Sequence, residues 1–132
     1  MSEENLELVR EIYRRLDEDG RFPDELLDPE VEYVNPPDAV EPGTRRGREE
    51  FYAAIDRVTE VYEVEVRPEE FIDAGDDVVV LLTFVIRGRG SGVERPQSQG
   101  HVWTLRDGKA TRFRWFNDRS QALRAAGVDR DT

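Results

Sequence analysis

Cysteine is absent from this chain, and histidine occurs once, at position 101. The first absence removes disulfides, thiolate nucleophiles and thiolate metal sites together. A single imidazole argues against a zinc centre, and no run of carboxylates has the spacing of a calcium loop. No glycine-rich stretch follows a strand pattern and opens a helix, so no phosphate cradle is indicated. Neither a cofactor nor a metal is expected. Positive charge is in deficit: 19 basic residues face 30 acidic ones, a formal charge of −11. Such a chain is repelled by nucleic-acid backbones and anionic membrane surfaces. Long apolar runs are also missing. The longest, Val78 to Ile86, is interrupted by Thr83 and falls short of the ~20 residues that span a bilayer. The acidic start, Met1-Ser2-Glu3-Glu4, lacks the basic and apolar regions of a secretory signal. The expectation is a soluble, cytoplasmic protein with no nucleic-acid or membrane partner.

What is present suffices for one core. The 132 residues suit a single domain over 1–132,. Two Trp, four Tyr and six Phe supply aromatic anchors,. Leu6, Val9, Tyr13 and Leu16 fall on one helical stripe that Gly20 stops,. Asp24 opens a short helical turn carrying Leu26 and Leu27, and Val31 to Val34 alternates as a brief strand. Asn35-Pro36-Pro37-Asp38 breaks it, and a loop runs on through Pro42-Gly43. A second helix spans about Arg48 to Val61, with Phe51, Tyr52, Ile55, Val58 and Tyr62 as its apolar stripe.

The period then changes to two. Val64 and Val66 alternate, Pro68 interrupts, and Phe71-Ile72 resumes. Val78 to Ile86 reads as a strand buried on both faces. Arg87 to Pro96 reads as a loose connection. Gln97 to Leu105 and Ala110 to Asn117 form a hairpin about Arg106-Asp107-Gly108-Lys109,. Asp118 caps a last helix carrying Ala122, Leu123 and Ala126, ended by Gly127,. The implied fold class is α+β: a cone-shaped, curved antiparallel sheet wrapped around three helices, with a cavity at its open end.

Four local words carry a wider resemblance: Leu27-Asp28-Pro29-Glu30-Val31-Glu32-Tyr33, Pro42-Gly43-Thr44-Arg45-Arg46-Gly47-Arg48-Glu49, His101-Val102-Trp103-Thr104-Leu105-Arg106-Asp107-Gly108-Lys109 and Ala122-Leu123-Arg124-Ala125-Ala126-Gly127. With the element order, they resemble the ketosteroid isomerase and SnoaL-like families of the nuclear transport factor two superfamily. That fold hosts isomerases, cyclases, dehydratases, epoxide hydrolases and binding proteins, so it does not by itself assign an activity. The resemblance places Tyr13 at the oxyanion-hole tyrosine of ketosteroid isomerases and His101 at their neutral aspartic acid. Asn35 stands where those enzymes have their base, and asparagine takes no proton in that role. Tyr33-Val34-Asn35 is similar to the water-holding pair of the epoxide hydrolases, but their acidic positions are occupied by apolar residues here.

The residues singled out are therefore His101, Tyr13 and Asn35 as the catalytic set. Tyr33, Trp103, Phe113, Trp115, Phe51 and Phe84 are the walls of a substrate pocket. Each has a plainer reading. His101 and Tyr13 also fit satisfied core residues, Asn35 fits an Asx-turn before its prolines, and the aromatics fit a solid core. The hairpin register decides part of this. A three-residue loop with a bulge at Gly108 places 101, 103, 113 and 115 on one side. A two-residue Asp107-Gly108 turn places Arg112 and Arg114 beside His101 instead. The first is preferred because it turns the apolar side chains inward. Two functions follow. One is a cofactor-independent isomerase, cyclase or dehydratase for an apolar carbonyl or polycyclic compound, acting through Tyr13 and His101. The other is a non-catalytic binding or accessory protein using the same cavity. A homodimer is expected through the outer sheet face, about Arg112, Arg114 and Phe116.

Overall fold

The computed structural model describes residues 2–129. Helix α1 covers Ser2–Asp19, a single 3-10 turn covers Asp24–Leu26, and helix α2 covers Arg48–Val61. The strands are β1 (Leu27–Asn35), β2 (Gly43–Arg46), β3 (Tyr62–Ala74), β4 (Asp77–Gly88), β5 (Glu94–Arg106) and β6 (Lys109–Phe116), and helix α3 (Arg119–Ala125) closes the chain. The strands form one sheet in the order β2-β1-β6-β5-β4-β3. Every pair is antiparallel except β1 with β6, which run parallel. The expected class, α+β with a curved sheet and three helices, is the one formed.

Alternation along the central strands divides the side chains between two cores. Val78 and Val80 of β4 join Trp103 and Leu105 of β5 and Phe113 of β6 on the inner face, against Val9, Ile12 and Tyr13 of α1 and Phe51 and Tyr52 of α2. Val79 and Leu81 join Val102 on the outer face, where Ala122 and Leu123 of α3 cover them. Two helices thus fill the inner face and the third takes the outer one, whereas the sequence suggested all three on one face. Gly100 permits this, because a side chain there would overlap the Ala122 methyl. The ends of α3 follow ordinary capping. Asp118 accepts from Ser120 N at 2.8 Å, and Gly127 N and Val128 N bond to Arg124 O and Leu123 O, closing the last turn,.

Boundaries moved wherever backbone pairing outweighed composition. Leu27 begins β1 rather than ending a helix, and the strand runs through Pro29. β2, read as loop, pairs Gly43 to Arg46 with Asn35 to Glu32; four largely exposed edge residues show no period. β4 and β5 extend to an Arg87–Glu94 pair, leaving only a tight turn where a loose connection was expected. The Arg87–Glu94 ion pair supports that extension, and Gly90 and Gly92 take the positive φ the turn needs,. Pro68 does not end β3; the pairing slips between Pro68 and Glu70 and resumes,.

The β5–β6 hairpin combines both registers considered from the sequence. Asp107 and Gly108 have φ of 53° and 78°, so the turn is the two-residue kind, with Arg106 opposite Lys109,. A bulge follows between Leu105↔Ala110 and Thr104↔Arg112, leaving Thr111 as the extra residue,. Beyond it Trp103 pairs with Phe113 and His101 with Trp115. The aromatic side chains therefore face inward as expected, but the device is Thr111, not Gly108. Arg112 and Arg114 lie on the outer face with Asp77 and Thr104.

Candidate functional site

β5 delivers the polar centre. Its inner-face residues, two apart, are Gln99, His101 and Trp103,. His101 is 5 % exposed and Tyr13, reaching from α1, is 4 % exposed. The Tyr13 hydroxyl lies 2.6 Å from His101 Nδ1 and accepts from Trp103 Nε1 at 2.8 Å. The three side chains form a buried chain of hydrogen bonds. Rings enclose it: Phe113 meets the imidazole edge-to-face at 4.8 Å, and Phe71 and Phe22 do the same to Tyr13 at 5.8 and 6.1 Å,.

This apolar setting governs protonation. Burial pushes the His101 imidazole down to about 3, so it is neutral at physiological pH. The titration near pH 6 to 7 expected of a free histidine is displaced. Burial pushes the Tyr13 hydroxyl far up, against a smaller lowering by the Trp103 N–H. Tyr33 is pushed up to about 12 by burial alone, and among the described residues its hydroxyl has no hydrogen-bond partner.

Beside this chain opens a cavity of about 810 Å³, within the usual size of small-molecule sites, ~300–1,000 Å³. Tyr13, His101, Tyr33, Phe84, Phe113 and Trp115 all line it, so six of the nine residues singled out from sequence converge. The other three do not reach its wall. Trp103 is fully buried; it is a core residue behind Tyr13, placed there by its N–H bond. Phe51 is also fully buried, packed edge-to-face behind Tyr33 at 5.5 Å and beside Phe22 at 5.9 Å. Asn35, at the end of β1, accepts from Trp115 Nε1 at 2.7 Å. It holds a wall residue in place rather than lining the cavity itself.

Several lining residues were not foreseen. Gln99 is 5 % exposed and sits in the wall beside His101, its amide directed at Asn117 Oδ1 at 3.4 Å. The period of two from His101 was the available signal. Ile55 and Val58 of α2 and Val64, Val66 and Phe71 of β3 complete the apolar lining. Arg10, Arg14, Asp17 and Glu65 also line it, all four exposed. On α1 the helical spacing from Tyr13 predicts two of them, Arg10 and Asp17. Among the described residues no group of three or more His, Asp or Glu side chains is arranged to hold a metal ion, and no helix is long and apolar enough to cross a membrane.

No curated protein matches the sequence. Solved structures do. TerC, co-crystallised with polyporic acid, is 30% identical with a TM-score of 0.73, over 93% of this chain and 97% of that one. A nuclear transport factor two-like protein of unknown function from Burkholderia pseudomallei is 27% identical with a TM-score of 0.72, over 95% and 98%. A SnoaL-like polyketide cyclase assignment accompanies a Mesorhizobium loti structure at 15% identity and a TM-score of 0.69, over 83% and 96%; at that identity it bears on the fold alone. The profile described as SnoaL-like domain matches residues 9–113, a stretch that holds α2, β1 to β5 and every singled-out residue except Trp115. This chain belongs to the SnoaL-like domain family.

Proposed function

We propose that this protein binds a largely apolar, carbonyl-bearing small molecule in the cavity and promotes its isomerisation, cyclisation or dehydration without a cofactor. The observation that carries this reading is the buried Trp103–Tyr13–His101 chain ending on a neutral imidazole in the cavity wall. With Nδ1 taken by Tyr13, the ring nitrogen left for a ligand is Nε2. A neutral Nε2–H is a hydrogen-bond donor, suited to polarising a carbonyl and to stabilising the oxyanion that forms on enolisation. Enolisation is a step common to the three reactions. Tyr13 then supports the imidazole instead of contacting the substrate oxygen as a second donor, and Asn35 orients the wall through Trp115. Asp17 and Glu65, the carboxylates that line the cavity, are the groups available to accept a proton from carbon. The relative bound to polyporic acid supports an aromatic carbonyl compound as the ligand class.

A second reading rests on those same carboxylates. Both are exposed, and among the described residues they are the carboxylates in the cavity lining. A cavity with a donor but no enclosed base also suits a ligand-binding or accessory protein.

Calorimetric titration with polyporic acid, together with turnover assays on a panel of polycyclic enones, separates the two. The catalytic reading predicts turnover that His101→Gln slows by ~10²–10³, as loss of an oxyanion donor does. Equal rates in wild type and variant would refute it, and saturable binding without turnover selects the second reading.

The same proposal takes the working unit to be a cytoplasmic homodimer joined through the outer sheet face. Arg114 and Asp77, 3.4 Å apart, are each largely covered there, and Arg112 reaches Thr104, a polar patch flanked by Glu30, Glu32 and Arg46. Phe116, the third residue expected at this face, is half-buried against the cluster under α3. Light scattering should give twice the chain mass; a monomer at high micromolar concentration would remove the dimer.

A further inference from the structure

The order of donors in the buried chain has a direction. An indole nitrogen only donates, so the 2.8 Å bond from Trp103 Nε1 makes the Tyr13 oxygen an acceptor,. The hydroxyl has one proton, and its other polar neighbour is His101 Nδ1 at 2.6 Å. Its remaining close neighbours are the edges and faces of Phe22 and Phe71, which offer no lone pair. If Nδ1 carried the proton, Tyr13 would face two donors, and its own proton would be buried without an acceptor. Only one arrangement satisfies every group: Trp103 donates to Tyr13, Tyr13 donates to Nδ1, and the imidazole proton stands on Nε2.

We propose that Trp103 is a positioning residue: by placing a donor against Tyr13, it commits the Tyr13 proton to His101 Nδ1 and holds the imidazole as the Nε2–H tautomer. Trp103 is fully buried and is not part of the lining of this cavity, so it acts on a ligand there only through two other side chains. The cavity is thereby set to present a donor, and it selects ligands with an acceptor at that point. This consequence rests on His101 being the ligand contact proposed above. The tautomer itself does not.

Because the chain has one histidine, a ¹⁵N-histidine-labelled sample gives one imidazole signal pair that needs no assignment. The wild type is expected to show protonated Nε2 and unprotonated Nδ1 at neutral pH. Replacing Trp103 by its sulfur isostere, benzothienylalanine, removes the N–H while keeping the ring shape. Trp103→Phe serves as a second variant, its folding checked by the amide spectrum. In either folded variant the Tyr13 hydroxyl can turn its proton toward the place the indole N–H has left, where the ring sulfur or, beside the smaller Phe ring, an entering water accepts it, and the tautomer ratio should move at least tenfold toward Nδ1–H. A wild type carrying the proton on Nδ1 overturns the proposal whether or not a variant folds. An unchanged ratio in a folded variant overturns it as well. A shifted ratio, with polyporic acid leaving the His101 signals unmoved, upholds the relay and removes only the ligand contact.

Discussion

The Tyr13 hydroxyl on α1 and His101 Nδ1 on β5 meet at 2.6 Å across 88 positions of sequence. The bond joins the first helix to the fifth strand at the wall of the cavity. It also ties two quantities together, because the groups that shape the site are among those that stabilise the core. Substitutions here should be read in stability and in activity at once.

His101 should make stability fall with acidity. Its imidazole titrates at about 3 in the folded chain and near 6.5 when unfolded. Below pH ~6.5 the unfolded chain binds a proton that the folded chain refuses, so folding weakens as pH drops from there toward about 3. The slope approaches ~1.4 kcal/mol per pH unit. Urea titrations at pH 7 and pH 5 should show the wild type losing ~2 kcal/mol more than His101→Gln. Parallel losses in the two proteins would mean that His101 is protonated inside the fold.

Tyr13→Phe should cost both ways. It strands the Trp103 N–H in the core and leaves Nδ1 without its donor, a loss of ~1–3 kcal/mol. Turnover should drop by ~10-fold or more while the fold persists, a smaller fall than His101→Gln produces, since Tyr13 acts through the imidazole. The double variant should fall short of the sum of the two effects, because the pair works as a unit. Additive losses would separate their roles.

Trp103→Ala tests whether this ring is core. It is fully buried among Tyr13, Phe22 and Phe113, at 6.1, 5.4 and 4.6 Å between ring centroids. Truncation should cost ~3–5 kcal/mol. An unchanged urea midpoint would show that the ring carries little packing.

Gly100→Ala should displace α3. The new methyl overlaps that of Ala122, and overpacking of this kind costs ~1–3 kcal/mol. Adding Ala122→Gly relieves the overlap at the expense of a glycine inside a helix, ~1 kcal/mol. The double variant should therefore be more stable than Gly100→Ala alone. If the second change only adds to the damage, α3 is not seated on Gly100 as described.

Deletion of Thr111 removes the bulge residue between the turn and the paired aromatics. With it gone, the two-residue turn leads into unbroken pairing, Leu105 opposite Ala110, Thr104 opposite Arg112 and Trp103 opposite Phe113, so both faces of β6 are kept,. The deletion variant should therefore fold to a native near-ultraviolet spectrum. Loss of that spectrum would show that the bulge itself is needed to hold the aromatic side chains inward.

Patterns local in sequence were legible without coordinates. The stripe of α1, the span of α2, the doubly buried β4 and the Asp118 and Gly127 caps all rest on contacts within a few residues, where period and cap chemistry act directly. The fold family was legible for the same reason, through short words at turns and strand ends. β2 was hidden because an exposed edge strand of four residues has no apolar face to alternate. The side of the sheet taken by α3 was hidden because an apolar helix stripe does not say which apolar face it covers; Gly100 decided that by leaving room for Ala122.

Within the site, the sequence alone determined which side chains could do chemistry: one imidazole, a tyrosine on the helix stripe, and aromatic residues at strand spacing. It also determined that Gln99, His101 and Trp103 share a face, since alternation in a strand is obligatory. Only the tertiary structure decided their roles. Whether an inward residue is wall or core depends on what packs behind it, so Trp103 and Phe51 became core while Phe113 and Trp115 became wall. Asn35 left the cavity because the Trp115 indole needed its oxygen. The protonation of His101 was decided last of all, by the removal of water from around it, a property of the assembled fold that no stretch of sequence carries.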